Sequence, residues 1–165
     1  MSTGDKELII RAADSSDLQA ILEIQMNAFE VYTNLIAAEQ IPPLNESLAE
    51  VQIDFKRKSI LVASRGGKIV GSVRYQINLG VCVFERLSVD PMYQQQGIGQ
   101  QLVRKVEGLA VLQAHKIYLE TGLLAAELIK FYSGLGYSGE AVLKNHYGNF
   151  DWIVFSKFFE SKADV

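Results

Sequence analysis

The sequence predicts an α/β protein of the α+β kind: a mixed, mostly antiparallel central sheet of about seven strands flanked by about four helices. Three observations predict it. Two strand-like runs, Ser59 to Ser64 and Lys68 to Asn78, are joined through Gly66-Gly67, and a third, Val81 to Val89, follows the short Asn78-Leu79-Gly80 turn. Two segments with apolar residues at helical spacing then alternate with strands, the pattern of crossover connections with helices on both faces. Apolar residues make up 48% of the chain, and no repeat, low-complexity tract or long linker divides them, so one domain with a sizeable core is expected.

The elements follow in order. Leu8 to Ala12 is a short apolar strand. Asp14, Ser15 and Ser16 offer caps for a helix with Leu18, Ile21, Leu22 and Phe29 on its inner face. Between Val31 and Leu44 the periodicity fails, and Pro42-Pro43 excludes a continuous helix. Asn45 is expected to cap a second helix, carrying Leu48, Val51 and Phe55 on one side. The three hairpin strands come next, and Asp90-Pro91 ends the last of them. Gly97 to about His115 reads as a helix burying Ile98, Leu102, Val106 and Leu109, Ile117 to Glu120 as a strand, and Leu124, Leu128, Phe131 and Leu135 as the lining of another helix. Gly134 and Gly136 close that helix. Tyr137 to Phe159 reads as two strands around a turn near Asn145 to Asn149.

The net charge of −3 gives no general attraction to nucleic acid or to an anionic membrane, so any anionic ligand must be held by local geometry. The single cysteine, Cys82, cannot form an intramolecular disulfide, which suits a reducing cytoplasm. Met1 to Lys6 is polar, unlike a signal peptide, and no apolar run approaches the length of a membrane helix. With one Cys and two His, no metal site is expected. A cytoplasmic protein is the expectation.

The stretch richest in chemistry is Ser88 to Arg104. A strand ends at Val89, a loop follows, and Gly97-Ile98-Gly99 opens a helix. Glycine lacks a Cβ, so main-chain amides there can approach a ligand closely. The first helical turn adds unpaired N–H groups and the positive end of the dipole, which together suit a diphosphate. Gly-x-Gly alone is only a tight turn. The dinucleotide fingerprint is absent because position 102 is Leu, and no Gly-Lys-Ser/Thr follows.

Gln94-Gln95-Gln96-Gly97-Ile98-Gly99 resembles the Gln/Arg-x-x-Gly-x-Gly/Ala motif of the GNAT superfamily of N-acetyltransferases. Glu85-Arg-Leu-Ser-Val-Asp-Pro looks like that family's fourth strand and its exit, and Gly71-Ser-Val-Arg74 is typical of the preceding one. Phe131-Tyr132-Ser-Gly-Leu-Gly-Tyr137 is similar to the later Phe-Tyr-x-x-x-Gly-Phe/Tyr signature. The conjunction is more specific than any one motif, and it covers roughly residues 7 to 158 of a single domain spanning 1–165.

The resemblance implies a transferase that moves an acetyl group from acetyl-CoA, its co-substrate, to a primary amine. Amides of Gln95 to Gln100, with Gln94 leading the motif, would hold the diphosphate; this set contains Gln96, Gly97, Ile98 and Gly99. Pantetheine would pair with the backbone of Leu87, Ser88 and Val89, in a slot where the fourth and fifth strands splay apart. An N–H near Leu87 would support the oxyanion. Tyr132 would protonate the departing thiolate; core packing is the competing role. For the base there are two candidates, Glu120 (twelve residues before Tyr132) and Glu85, each of which could instead be a salt-bridged carboxylate, with Arg74 or Arg86 for example. A base matters more for a lysine-like amine, neutral about one time in a thousand near neutral pH, than for an α-amine, neutral roughly a quarter to a third of the time.

One departure is evident. Many members place Asn seven or four residues before the tyrosine to hold the coenzyme, where this chain has Ala125 and Leu128. A non-catalytic acetyl-CoA-binding module is therefore the alternative. Arg104 and Lys105 offer charge to the phosphates or form a solvated helix face. Acceptor specificity would come from Glu30 to Leu44 and Lys144 to Asp151, with Glu30, Tyr32, His146, Tyr147 and Asp151 among their residues. Polyamine, antibiotic, amino acid and peptide N-terminus all remain open as acceptors, and a homodimer is common in the family.

Overall fold

The computed structural model describes residues 6–160, so most of the polar start, Met1 to Lys6, lies outside the described residues. The chain runs through β1 (Leu8–Ala12), α1 (Leu18–Phe29), α2 (Leu48–Arg57), β2 (Ser59–Arg65), β3 (Lys68–Asn78), β4 (Val81–Val89), α3 (Ile98–Ala110), β5 (Lys116–Gly122), α4 (Ala126–Gly134), β6 (Ser138–Tyr147) and β7 (Phe150–Phe158). The strands form one seven-stranded sheet in the order β1-β2-β3-β4-β5-β7-β6. Every neighbouring pair is antiparallel except β4 and β5. This is the mixed sheet with four helices that the sequence predicts.

Alternation along β2 shows how the sheet is covered. Successive side chains point to opposite faces. Ile60 and Val62 pack under α1 and α2 with Leu18, Ile21, Ile24 and Val51. Leu61 and Ala63 face the other way, into a larger core with α3, Tyr132 and Leu135. Ile98, Leu102, Val103, Val106 and Ala110 form the buried stripe of α3, spaced by the helical repeat. Each large side chain so buried contributes about 1.5–3 kcal/mol of apolar transfer, which fixes α3 on the sheet.

Three boundaries differ from the sequence-based expectation, one of them at α4, which begins at Ala126 and leaves Leu124 in the turn before it. Ser47, not Asn45, caps α2: its side chain accepts from Glu50 N while Glu50 reaches back to Ser47 N. Pro42-Pro43 turns the chain through a short 3-10 segment ending at Asn45, whose amide instead holds the carbonyls of Ala38 and Ile41. Helix α3 stops at Ala110 rather than near His115, because His115 N bonds to Gly80 O at 2.8 Å and the chain is already turning into β5. Between α1 and α2 the unpatterned stretch is a series of 3-10 turns. Among the described residues no helix is long and apolar enough to cross a membrane.

Candidate functional site

Strands β4 and β5 pair only at Val81–Lys116, Cys82–Ile117 and Val83–Tyr118. Beyond those positions they part. A β-bulge sits at the parting: Ser72 faces Ser88 and Arg74 faces Glu85, so two β4 residues, Arg86 and Leu87, oppose Val73 alone. Arg86 takes a φ of +54°, a left-handed conformation uncommon outside glycine. Such a bulge bends its strand and leaves the extra residue outside the ladder. The gap opens into a cavity of about 820 Å³, with Phe84, Leu119 and Tyr132 among its walls.

The N-terminus of α3 forms one end of this cavity. Gly97 caps the helix with a φ of +77°, and no side chain caps it. Intrahelical bonding begins with Gln101 N to Gly97 O at 3.0 Å, which leaves the N–H groups of Ile98, Gly99 and Gln100 outside the helical ladder. The positive end of the helix dipole lies at the same point. The glutamines before it brace the loop: Gln94 donates to Val89 O, and Gln96 accepts from Arg65. The residues present therefore fit a diphosphate, held by main-chain amides.

Tyr132 reaches the cavity from α4. It is 7% exposed and sits among Phe84, Phe131, Tyr137 and Phe155, with ring centroids 5.0–6.3 Å away. Burial pushes its hydroxyl well above the ordinary tyrosine range, with a smaller contribution from Tyr32. The phenol is therefore protonated at neutral pH, as an unperturbed tyrosine is.

Two carboxylates line the cavity with different partners. Glu120 Oε2 lies 3.0 Å from His146 Nε2, and Glu85 pairs with the Lys58 ammonium. Arg74 is not available to Glu85. It is 1% exposed and donates to Glu46, Asp54 and Gln25 at 2.8–3.0 Å, while Gln25 in turn donates to Pro43 O at 2.8 Å. Glu46 also lies 3.6 Å from Arg86. This buried network ties α1, α2 and the segment before α2 to the bulge of β4. Burial works against the Glu46 carboxylate, but Arg74 and Gln25 outweigh it and hold its pKa below the usual range.

A model of the acetyltransferase (GNAT) family matches residues 18–137. The chain belongs to that family. UPF0157 protein YqkA of Bacillus subtilis is 28% identical over 128 residues, which are 70% of this chain but 37% of that protein, so the chain spans little more than a third of this curated relative. Among the solved structures that share the GNAT fold are the following three. The PaiA N-acetyltransferase of Thermoplasma acidophilum, in complex with coenzyme A, superposes with a TM-score of 0.80 at 18% identity, covering 93% of this chain and 99% of that one. YncA of Salmonella typhimurium, with its cofactor acetyl-CoA, gives 0.74 at 20%, covering 95% and 96%. A ribosomal-protein-alanine N-acetyltransferase of Brucella melitensis gives 0.75 at 22%, covering 92% and 99%.

Within this GNAT domain most of the expected site residues come together. Leu87, Val89, Gln94, Gln95, Gly97, Ile98, Gly99, Gln100, Glu85, Glu120 and Tyr132 all line the cavity. Ser88 and Gln96 do not: the Ser88 side chain is buried against Arg86 O, and Gln96 turns to Arg65. Arg104 bonds to Glu107 and Leu135 O instead of reaching the loop. Cys82 is a buried core residue whose thiol burial pushes up to about 12. Sequence reasoning missed the Lys58–Glu85 and His146–Glu120 pairs and the Arg74 network. No local spacing signals them, because each joins residues from separate elements.

Proposed function

We propose that this chain is an acetyl-CoA-dependent N-acetyltransferase that acylates a primary amine of a small molecule or peptide by direct attack in a ternary complex. The observation that carries the reading is the gap between β4 and β5, which runs from the uncapped amides of α3 to the ring of Tyr132. A diphosphate fits those amides, and the free edge of β4 at Leu87, Ser88 and Val89 fits the amide groups of pantetheine.

The chemistry then follows from placement. The amine nitrogen bonds to the thioester carbonyl carbon, and the carbon–sulfur bond breaks. Negative charge on the carbonyl oxygen during the step is met by the main-chain N–H freed at the bulge near Leu87. Tyr132 gives its proton to the departing sulfur. The proton lost by the amine passes to a cavity carboxylate. Glu120 is favoured for that role. Its partner is an imidazole, whereas Glu85 would have to give up an ammonium to take a proton.

The second reading, an acetyl-CoA-binding module without turnover, is favoured by one observation: Ala125 and Leu128 offer no polar side chain to the coenzyme. Calorimetry with coenzyme A, ATP and NAD, followed by thiol release from acetyl-CoA over an amine panel, tests both. Selective coenzyme A binding with amine-dependent thiol release is expected. Tight binding without release from any amine supports the module, and equal binding of ATP or NAD refutes both.

A further inference from the structure

The acceptor end of the cavity has a composition of its own. One wall, from the end of α1 and the segment after it, carries Phe29, Tyr32, Ile41 and Pro42; the other carries Tyr147, Phe150 and Trp152 from the last hairpin. Phe150 stacks on Trp152 at 5.7 Å, and Tyr147 meets the same indole edge-on at 5.5 Å.

These walls touch. The Gln40 side chain donates to Gly148 O, and a Cβ at Gly148 would lie only 2.6 Å from the Gln40 carbonyl oxygen. The segment after α1 and the last hairpin, which carry the two walls, are thus held together.

The charge is one-sided. Glu85, Glu120 and Glu127 line the cavity, against Arg86 alone, and Arg86 already lies beside Glu46. Neither Glu120 nor Glu127 has a Lys or Arg partner among the described residues. Glu127 also contributes, after burial, to raising the Tyr32 phenol, which places its charge close to the first wall. An ammonium is attracted both by such carboxylates and by aromatic faces. An acceptor carboxylate would meet Glu85, Glu120 and Glu127 there, with Arg86 the one cation of the lining among the described residues.

From these observations we infer that the acceptor is a small primary amine with one ammonium on an aryl body that carries no carboxylate. The inference rests on the acetyltransferase reading above. Four probes test it: phenethylamine, phenylalanine, spermidine and an unblocked tripeptide, compared by thiol release after coenzyme A binding has been measured by calorimetry. Phenethylamine is expected to exceed each of the others in kcat/KM by roughly tenfold or more. Trp152→Ala should raise its KM about tenfold, and Trp152→Phe should restore most of the loss, both with unchanged coenzyme A affinity. Preference for phenylalanine, spermidine or the tripeptide overturns the inference alone, as does an unmoved KM in Trp152→Ala or thiol release from none of the four. Failure to bind coenzyme A removes the acetyltransferase reading and this inference with it.

Discussion

Replacing Arg74 by Met tests the network beneath the acceptor segment. The guanidinium is 1% exposed and satisfies Glu46, Asp54 and Gln25, so its removal takes the bonded cation from Glu46, which keeps the Gln25 amide and Arg86 at 3.6 Å, and one of two cations from Asp54, which keeps Lys58. Met keeps much of the volume, which limits any cavity effect. Breaking a buried ion pair by deleting one partner costs about 3–5 kcal/mol. Against a typical domain stability of about 5–15 kcal/mol, that is a large fraction. With a urea slope of about 2 kcal/mol per molar, the midpoint should fall by about 2 M. Fluorescence of the one tryptophan, Trp152, reports the transition. Glu46→Gln in the same chain should recover part of the loss, since the carboxylate that depended on Arg74 is then uncharged. A midpoint shift below about 0.5 M would refute the view that Arg74 holds these acids together. The same network anchors Pro43 through Gln25 and flanks Arg86, so the surviving folded variant should also show a raised amine KM with coenzyme A affinity unchanged.

Further outcomes are expected at the site and in acid. Tyr132→Phe should lower turnover by about 10²–10⁴-fold with coenzyme A affinity nearly unchanged in calorimetry; equal turnover would remove the proton-donor role. Gly97→Val should abolish coenzyme A binding, because a β-branched residue is strained at a φ of +77° and would disturb the amides beside it; unaltered affinity would contradict the loop assignment. Glu120→Gln should reduce turnover far more than Glu85→Gln, and the reverse order would move the base to β4. Glu46 and Glu107 both have pKa values held below the ordinary carboxylate range, burial opposing but Arg74 with Gln25, and Lys157 with Arg104 and Tyr137, prevailing. Their stabilisation is therefore complete above the unfolded value of about 4.3 and is lost as pH falls through the lower folded values. Urea midpoints should hold from neutrality to about pH 5 and drop below about pH 4, with a shallower drop in Glu107→Gln.

Local signals in the sequence pick out the parts of the candidate site that are themselves local. Gly97 opening α3, Tyr132 within its signature and the hairpins of β2 to β4 depend on turn chemistry and on periodicity over a few residues. Even there neighbours intervene: Asn45 is a residue type that caps helices, but the preceding prolines place it in a 3-10 turn and Ser47 caps α2.

Contacts between distant elements left no such mark. Glu120 meets His146 at a separation of 26 residues, Arg74 meets Gln25 at 49, and Gln40 meets Gly148 at 108. By itself the chain determined which segments become strands and helices and where a diphosphate-sized group of amides would stand, since those follow from dihedral preference and hydrophobic repeat. Only the tertiary structure decided that β4 and β5 separate at a bulge, that one glutamate meets an imidazole and the other an ammonium, and that two aromatic walls touch. Sheet register and packing set those distances, and neither is written in any short stretch of residues.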